Sequence, residues 1–155
     1  MITFHVSKAS EHFQEALPLL EAHWQEIAHF KDIPLDPDYE AYKKIEAAGF
    51  LRCYTARWES GPVSHMVGYA VYFLRYHPHY KSSLQASQDI LYIDPKYRGG
   101  TGARFINWCD DQLRAEHVQV VYHHVKAAHN FGPLLERFGY ELQDLIYGKR
   151  LDKEE

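Results

Sequence analysis

The residues with the clearest chemical potential lie between Arg98 and Ala103, where three glycines and a threonine follow an apolar run, Ile90–Ile93, and an Asp94-Pro95 pair. Proline lacks a backbone donor and restricts the residue before it, so the apolar run is predicted to be a strand that ends here. A helical pattern follows the glycines. The first amides of a helix have no internal partners and lie at the positive end of the helix dipole, and glycine lets a ligand approach them closely. A strand, a glycine-rich turn and a helix start therefore predict a pyrophosphate site.

Two other kinds of phosphate loop fit this turn poorly. A kinase-type loop needs Gly-Lys-Ser/Thr after the glycines, and that sequence is absent here. In a dinucleotide fold the glycines open the first βαβ unit, whereas here they lie past the middle of the chain and follow antiparallel-looking strands. Taken alone, the turn also has a steric explanation, because strand-to-helix turns often contain glycine.

The 11 histidines are densest at His77 and His79 and at His123, His124 and His129. In a strand, His77 and His79 share a face, whereas His123 and His124 point to opposite faces. No cysteine or carboxylate completes a recognisable ligand set around either group. We therefore predict no metal site.

Composition predicts a single domain that comprises residues 1–155. The apolar content of 46% and charged content of 25% are ordinary for a soluble globular protein. The net charge of −4 disfavours nucleic acid as a partner, and no apolar run approaches the roughly 18 residues that span a bilayer. No signal peptide is evident, and two cysteines without metal-type spacing, Cys53 and Cys109, indicate free thiols in a cytoplasmic protein.

The elements that position the glycine turn follow from the period of the apolar residues. Ser10 and Asp36 are predicted to cap the first two helices, and Pro18 to kink or divide the first of them. The predicted order is a strand at 2–6, helices at 10–30 and 37–48, strands at 50–58, 63–76 and 84–93, a helix at 101–116, a strand at 118–125, a helix at 130–139 and one or two strand segments at 140–151. This order predicts an α/β fold with a mixed, mostly antiparallel central sheet flanked by helices.

The element order and two motifs, L-Y-I-D-P-K-Y-R-G-G-T-G-A ending at Ala103 and N-F-G-P-L-L-E-R-F-G-Y starting at Asn130, resemble the GNAT superfamily of N-acetyltransferases. That family carries Q/R-x-x-G-x-G/A at the strand-to-helix turn, where backbone amides bind the pyrophosphate of acetyl-CoA. The region His79–Ser83 and the closing segment are loosely similar to acetyltransferase-like proteins of phages and prophages. The resemblance implies the GNAT-like acyl-CoA N-acyltransferase fold.

The sequence departs from the GNAT pattern at two positions. Thr101 stands where the first signature glycine normally stands, and Gly100 and Gly102 flank it. Leu135 stands where many members have a tyrosine that acts as general acid toward the leaving thiolate. That tyrosine's role cannot be carried over to Leu135.

The resemblance implies acetyl-CoA as co-substrate, held in a notch between two diverging strands. The edge of the central strand would pair with the pantetheine arm, and the amides of residues 99 to 103 would bind the pyrophosphate. Arg98 is expected to contact a phosphate, Arg104 to reach the outer phosphate or face water, and Asn130 to contact the cofactor or hold the notch. The predicted cofactor residues are Leu91, Tyr92, Ile93, Arg98, Gly99, Gly100, Thr101, Gly102, Ala103, Arg104 and Asn130.

The resemblance also yields catalytic candidates. His124 falls near the end of the strand beside the notch and could take a proton from an amine, although a hydrogen-bonded strand-end histidine is a plainer explanation. Asp89 is the alternative base. Tyr147, or a cleft tyrosine such as Tyr92 or Tyr122, could replace the missing acid. The helix residues Trp24, Glu26 and His29 are expected to lie beside the acceptor.

We therefore expect an acetyl-CoA-dependent N-acetyltransferase that moves the acetyl group to a primary amine by direct attack in a ternary complex. Neither cysteine is placed convincingly for a covalent relay. The acceptor could be a small-molecule or a protein amine, and a homodimer stays open. The alternative is a catalytically impaired CoA-binding or protein-interaction module on the same fold.

Overall fold

A five-stranded sheet, whose strands lie side by side in chain order, separates two helical layers. The computed structural model describes residues 1–153. Its strands are β1 (Ile2–Ser7), β2 (Leu51–Ser60), β3 (Val63–His77), β4 (Tyr80–Ile93) and β5 (Val120–Tyr122), and its helices are α1 (Phe13–Ile27), α2 (Tyr39–Ala47), α3 (Thr101–Ala115) and α4 (Gly132–Glu136). The first three neighbouring pairs are antiparallel and β4–β5 is parallel, which confirms the predicted α/β class with a mixed, mostly antiparallel sheet.

One layer consists of α3, which packs against the sheet through residues spaced four apart. Phe105, Cys109 and Leu113 repeat at this interval, so they lie on one face of the helix, and all three are fully buried. They pack in one cluster with Tyr54 of β2 and Tyr72 of β3. This packing fixes the start of α3 against the end of β4.

The opposite layer consists of α1 and α2. Leu20 of α1 packs on a cluster that includes Met66 and Tyr69, and Tyr42 of α2 packs on a second cluster near Cys53. The carboxylate of Glu46 in α2 accepts hydrogen bonds from the backbone before α1, which joins the two helices.

The predicted helix caps were wrong in detail. The Ser10 hydroxyl donates to Glu46 instead of capping a helix, and α1 begins at Phe13 after a short 3-10 helix. Pro18 lies inside one continuous α1, on its exposed side. Asp38 caps α2, because its carboxylate accepts from the amide of Ala41 at 2.9 Å, so Asp36 does not.

The predicted strand segments at 140–151 were also wrong. Within residues 1–153 no strand follows β5, which is itself only three residues long. The segment therefore finds no strand to pair with, and its apolar side chains, such as Leu142 and Ile146, are exposed. Ion pairs between Arg150 and Asp32 fasten its end to the connection between α1 and α2. No helix of the described chain combines the length and the apolar character needed to cross a membrane.

Candidate functional site

The parallel strands β4 and β5 pair over only three residues and then diverge. Gln85, Ala86 and Ser87 pair with Val120–Tyr122, and no pairing follows. The Gln88 side chain lies at the point of divergence, where its Oε1 accepts from the amide of His124 at 3.2 Å. Beyond it, the edge of β4 is open toward β5, which creates a notch.

A β-bulge in β4 lies immediately after Gln88. Val71 of β3 pairs with Ile90, and the next residue, Tyr72, pairs with Gln88, so Asp89 is left without a partner. The bulge shifts the alternation of side chains by one residue. Before the bulge the even-numbered residue Ala86 packs on the α3 side, and after it the odd-numbered residue Leu91 packs on that side. The bulge therefore lets Asp89 and Ile90 both approach the α1–α2 side of the sheet.

The glycine turn presents free amides to the notch. Gly100, with φ of 80°, precedes α3 in the left-handed region that only glycine occupies without strain. The amide of Thr101 donates to the Arg98 carbonyl at 2.9 Å, whereas those of Gly100, Gly102 and Ala103 have no backbone acceptor among residues 1–153. These three amides lie at the positive end of α3, where an anion is favoured.

A cleft of about 1190 Å³ extends from the notch over this turn. It brings together most of the predicted cofactor residues, which come from β4, the turn, α3 and the chain after β5. Those that line it are Leu91, Tyr92, Ile93, Arg98, Gly100, Gly102, Ala103 and Asn130.

Three predicted cofactor residues do not line the cleft. Gly99 is exposed beside it, and Thr101 is buried with its amide already bonded. The Arg104 guanidinium lies 5.8 Å from the ring centre of Phe4, because its position on α3 turns it toward β1. Of the five amides predicted to bind pyrophosphate, those of Gly100, Gly102 and Ala103 therefore line the cleft, and this group is called the anion cradle.

The cleft is rich in cations, which the sequence pattern did not reveal. Arg75, Lys126 and Arg137 line it, and none of them forms an ion pair with another described residue. They come from β3, the chain after β5 and the end of α4, so only the folded chain brings them together. A local positive field therefore exists in a protein whose net charge is −4.

Arg98 is held in place by three contacts. Its Nε donates to the Ile93 carbonyl at 2.8 Å, and its guanidinium lies 5.5 Å from the ring centre of Tyr92. A terminal nitrogen donates to Glu26 of α1 at 2.7 Å, and this ion pair lowers the pKa of Glu26. Glu26 therefore lies at the cleft, paired with Arg98, and does not line the second cavity that Trp24 and His29 line.

His23 forms a rigid part of the cleft wall beside Arg98. Its Nδ1 lies 3.0 Å from the hydroxyl of Tyr69, and its ring stacks on Tyr92 with 4.8 Å between centres. Burial lowers the pKa of His23 to about 4, so the ring is neutral at neutral pH.

Of the predicted bases, Asp89 has the more defined environment. It lines the cleft, and its Oδ2 accepts from the Tyr42 hydroxyl at 2.5 Å. Burial raises the pKa of Asp89, and the hydrogen bond from Tyr42 and the charge of His124 oppose that rise. His124 also lines the cleft, with an exposed side chain.

The predicted acids are placed less favourably. Tyr147 is 89% exposed and lines no part of the cleft, because residues 140–151 form no strand that would bring it back to β5. Tyr92 lines the cleft and Tyr122 does not. Leu135 is 5% exposed and packed inside, while its neighbour Leu134 faces the cleft.

The described residues hold no group of three or more histidines, cysteines or acidic residues arranged to bind a metal ion. His77 and His79 lie side by side at the end of β3, with ring centres 5.2 Å apart. His123 is a partly buried neighbour of Gln88, and burial lowers its pKa to about 4.

Comparison with solved structures identifies the fold as that of GNAT-type acetyltransferases. The chain is similar to an aminoglycoside acetyltransferase from a soil metagenomic sample, solved with sisomicin, at 16% identity and TM-score 0.72 over 97% of both chains. It is similar to the ribosomal-protein-alanine N-acetyltransferase of Brucella melitensis, at 16% identity and TM-score 0.70 over 97% of this chain and 99% of that one. A predicted acetyltransferase from Clostridium acetobutylicum, solved with acetyl-CoA, gives 12% identity and TM-score 0.72 over 97% of both chains. No protein-family model and no curated protein sequence matches the chain.

Proposed function

We propose that this protein is an N-acetyltransferase that binds acetyl-CoA in the notch between β4 and β5 and transfers its acetyl group to a primary amine. One observation carries the proposal: one cleft beside an open strand edge is lined by three amides at the start of α3 that have no backbone acceptor, and by three cations that have no ion-pair partner, among residues 1–153. Coenzyme A has the matching chemistry, since it combines an anionic diphosphate and a further phosphate with a long amide-containing arm.

The residues of the cleft fit that co-substrate. The amides of Gly100, Gly102 and Ala103 would bind the pyrophosphate, with Arg98 beside them. Arg137 and Lys126 offer positive charge for the remaining phosphate. The open edge of β4 at Leu91 offers backbone groups to the amide-containing arm. The similarity of fold to an acetyltransferase solved with acetyl-CoA supports this assignment.

Direct transfer to the amine fits the chain better than a route through an acyl-cysteine. Cys53 and Cys109 are both buried, and burial raises their thiol pKa, so neither offers a thiolate near neutral pH. In direct transfer the amine nitrogen bonds to the thioester carbonyl carbon, the carbon–sulfur bond breaks, and the amine loses a proton. Asp89 at the bulge would accept that proton, directly or through water, because its raised pKa makes it a stronger base than an ordinary aspartate.

The leaving thiolate would depart without a dedicated tyrosine at position 135. A thiolate is a fair leaving group, so its protonation aids turnover but is not essential to it. Tyr92 is the tyrosine that lines the cleft. Burial raises its pKa, which keeps the phenol protonated and able to donate.

Two measurements on the purified protein test this function. Calorimetric titration with acetyl-CoA should give saturable binding that weakens as salt is raised, because the contacts are ionic. Thiol release from acetyl-CoA should then depend on an added primary amine. Binding with no release for any amine in a broad panel would favour the alternative, a CoA-binding module, and no binding would reject both functions.

A further inference from the structure

A second cavity, of about 460 Å³, lies on the opposite side of β4 from α3. It is bordered by α1, the connection between α1 and α2, the start of α2 and the sheet. Most of its wall is apolar, with aromatic or other apolar side chains from each element, including Phe13, Leu20, Trp24, Phe30, Met66 and Ile90. Its volume lies within the roughly 300–1,000 Å³ of ordinary small-molecule sites.

This cavity meets the acetyl-CoA cleft at the bulge. Asp89 lines the cleft and the next residue, Ile90, lines the cavity. Tyr42 lines the cavity and donates its hydroxyl to Asp89 at 2.5 Å. Lys126 lines both spaces. A molecule in the cavity can therefore present an amine to the bulge while its remaining atoms stay among apolar side chains.

The charges of the wall do not suit a polycation. Asp36 is the acidic residue among those that line the cavity, and the cation Lys126 lines it too. A sugar or peptide with several ammonium groups would lose hydration here and find few carboxylates in return. An apolar body, in contrast, would gain about 25 cal/mol for each Å² removed from water.

We infer that the acceptor is a small primary amine on an aromatic body, an arylalkylamine, whose ring occupies this cavity. The inference rests on the proposed function and adds the acceptor class to it. The amine nitrogen would lie beside Asp89 and Tyr42, at the junction with the cleft.

Phenethylamine and tryptamine are suitable probes, with sisomicin and a lysine-rich peptide as polycationic competitors. Thiol release at saturating acetyl-CoA should give phenethylamine a kcat/KM at least tenfold above that of either polycation. Equal or better turnover of sisomicin or the peptide would overturn the inference and leave the proposed function intact. A protein that does not bind acetyl-CoA would instead fail at the proposed function, and the inference would fall with it.

Two variants test the location of the ring. Ala16 lines the cavity, so Ala16→Phe should fill it and raise the KM for phenethylamine at least tenfold, with the Kd for acetyl-CoA within twofold of wild type. Ala22→Phe makes the same change on the exposed side of α1 and should alter neither constant. Leu35→Trp fills the cavity from the connection instead of the helix and guards against a folding defect of Ala16→Phe. If Ala16→Phe and Leu35→Trp give the same KM for phenethylamine as Ala22→Phe, the aromatic ring does not bind in this cavity.

Discussion

Replacing Gly102 with glutamate should stabilise the fold and abolish acetyl-CoA binding. Because stability and affinity should change in opposite directions, this variant is the sharpest test of the anion cradle. Gly102 lines the cleft in the first turn of α3, and a Cβ built on it meets no atom within 4 Å. Gly100 is a poorer target, because its φ of 80° would strain any side chain and confuse a folding defect with a binding defect.

Two effects should raise the stability of Gly102→Glu. A residue other than glycine in a helix gains roughly 0.5–1 kcal/mol from backbone entropy. A carboxylate in the first turn gains roughly 0.3–1 kcal/mol from the helix dipole. The free energy of unfolding should therefore rise by about 1 kcal/mol, and the Tm by about 2–4 °C for a domain of this size.

The same carboxylate should exclude the pyrophosphate. At about 5 Å and an effective dielectric constant of about 20, its repulsion of each phosphate charge is roughly 3 kcal/mol. Because about 1.4 kcal/mol corresponds to a factor of ten, the Kd should rise at least 100-fold. Calorimetric titration with acetyl-CoA measures the Kd, and thermal unfolding measures the stability.

Asn107→Glu is the matched control, since it adds the same charge to an exposed position of α3 that does not line the cleft. Its Kd should stay within threefold of wild type. If Gly102→Glu also stays within threefold while folded, the pyrophosphate does not lie on the first turn of α3. If the Tm of Gly102→Glu is instead several degrees lower than that of wild type, the structure has no room for a side chain at position 102.

Three further changes test the surrounding site. Glu26→Gln removes a negative charge from the cleft and frees the Arg98 guanidinium from its ion pair, so calorimetry should show that acetyl-CoA binds three- to tenfold more tightly. Weaker binding would mean that the ion pair with Glu26 positions Arg98 for the co-substrate. Asp89→Asn should lower kcat at least 100-fold without changing the Kd for acetyl-CoA. Tyr42→Phe removes a hydrogen bond that lowers the pKa of Asp89, so the acidic limb of the pH–rate profile should move to higher pH. An acidic limb that does not move in Tyr42→Phe would exclude Asp89 as the base. The pKa of His23 falls from 6.5 to about 4 on folding, so the unfolded chain binds more protons between these pH values, and the free energy of unfolding should fall by at most about 3 kcal/mol as the pH drops through this window. Urea unfolding should show that the free energy of unfolding differs less between pH 7 and pH 4.5 in His23→Phe than in wild type. An equal difference in the two proteins would contradict the lowered pKa of His23.

The parts of the site that local sequence could predict are those that depend on neighbouring residues. The end of β4 at Ile93, the break at Asp94-Pro95 and the start of α3 at Thr101 follow from backbone chemistry within a few positions. The cations could not be predicted in the same way, because Arg75 and Arg137 are 62 positions apart and meet only through the fold. Neither has a local pattern that separates it from an ordinary exposed arginine.

The wrong predictions concern positions where the outcome depends on the tertiary structure and not on the local residue pattern. Ser10 has the residue type of a helix cap, but its hydroxyl finds the carboxylate of Glu46, 36 positions away. The segment 140–151 has apolar residues that suit a strand, but a strand also needs an edge to pair with, and β5 offers only three residues. Pro18 did not divide α1, because it lies on the exposed side, where water can satisfy the carbonyl that loses its partner.

The bulge at Asp89 links the two halves of the proposed reaction. In a regular strand, consecutive side chains point to opposite faces, so Asp89 and Ile90 could not both face α1 and α2. The unpaired position changes the phase of β4 after Asp89, so the Asp89 carboxylate reaches Tyr42 and the Ile90 side chain lies on the same face, which holds the second cavity. Asp89 still lines the cleft, where β4 has lost its neighbour β5. A base placed there can take a proton from an amine on one side of the strand while the thioester lies on the other, and a strand without the bulge would turn either Asp89 or Ile90 away from the cavity.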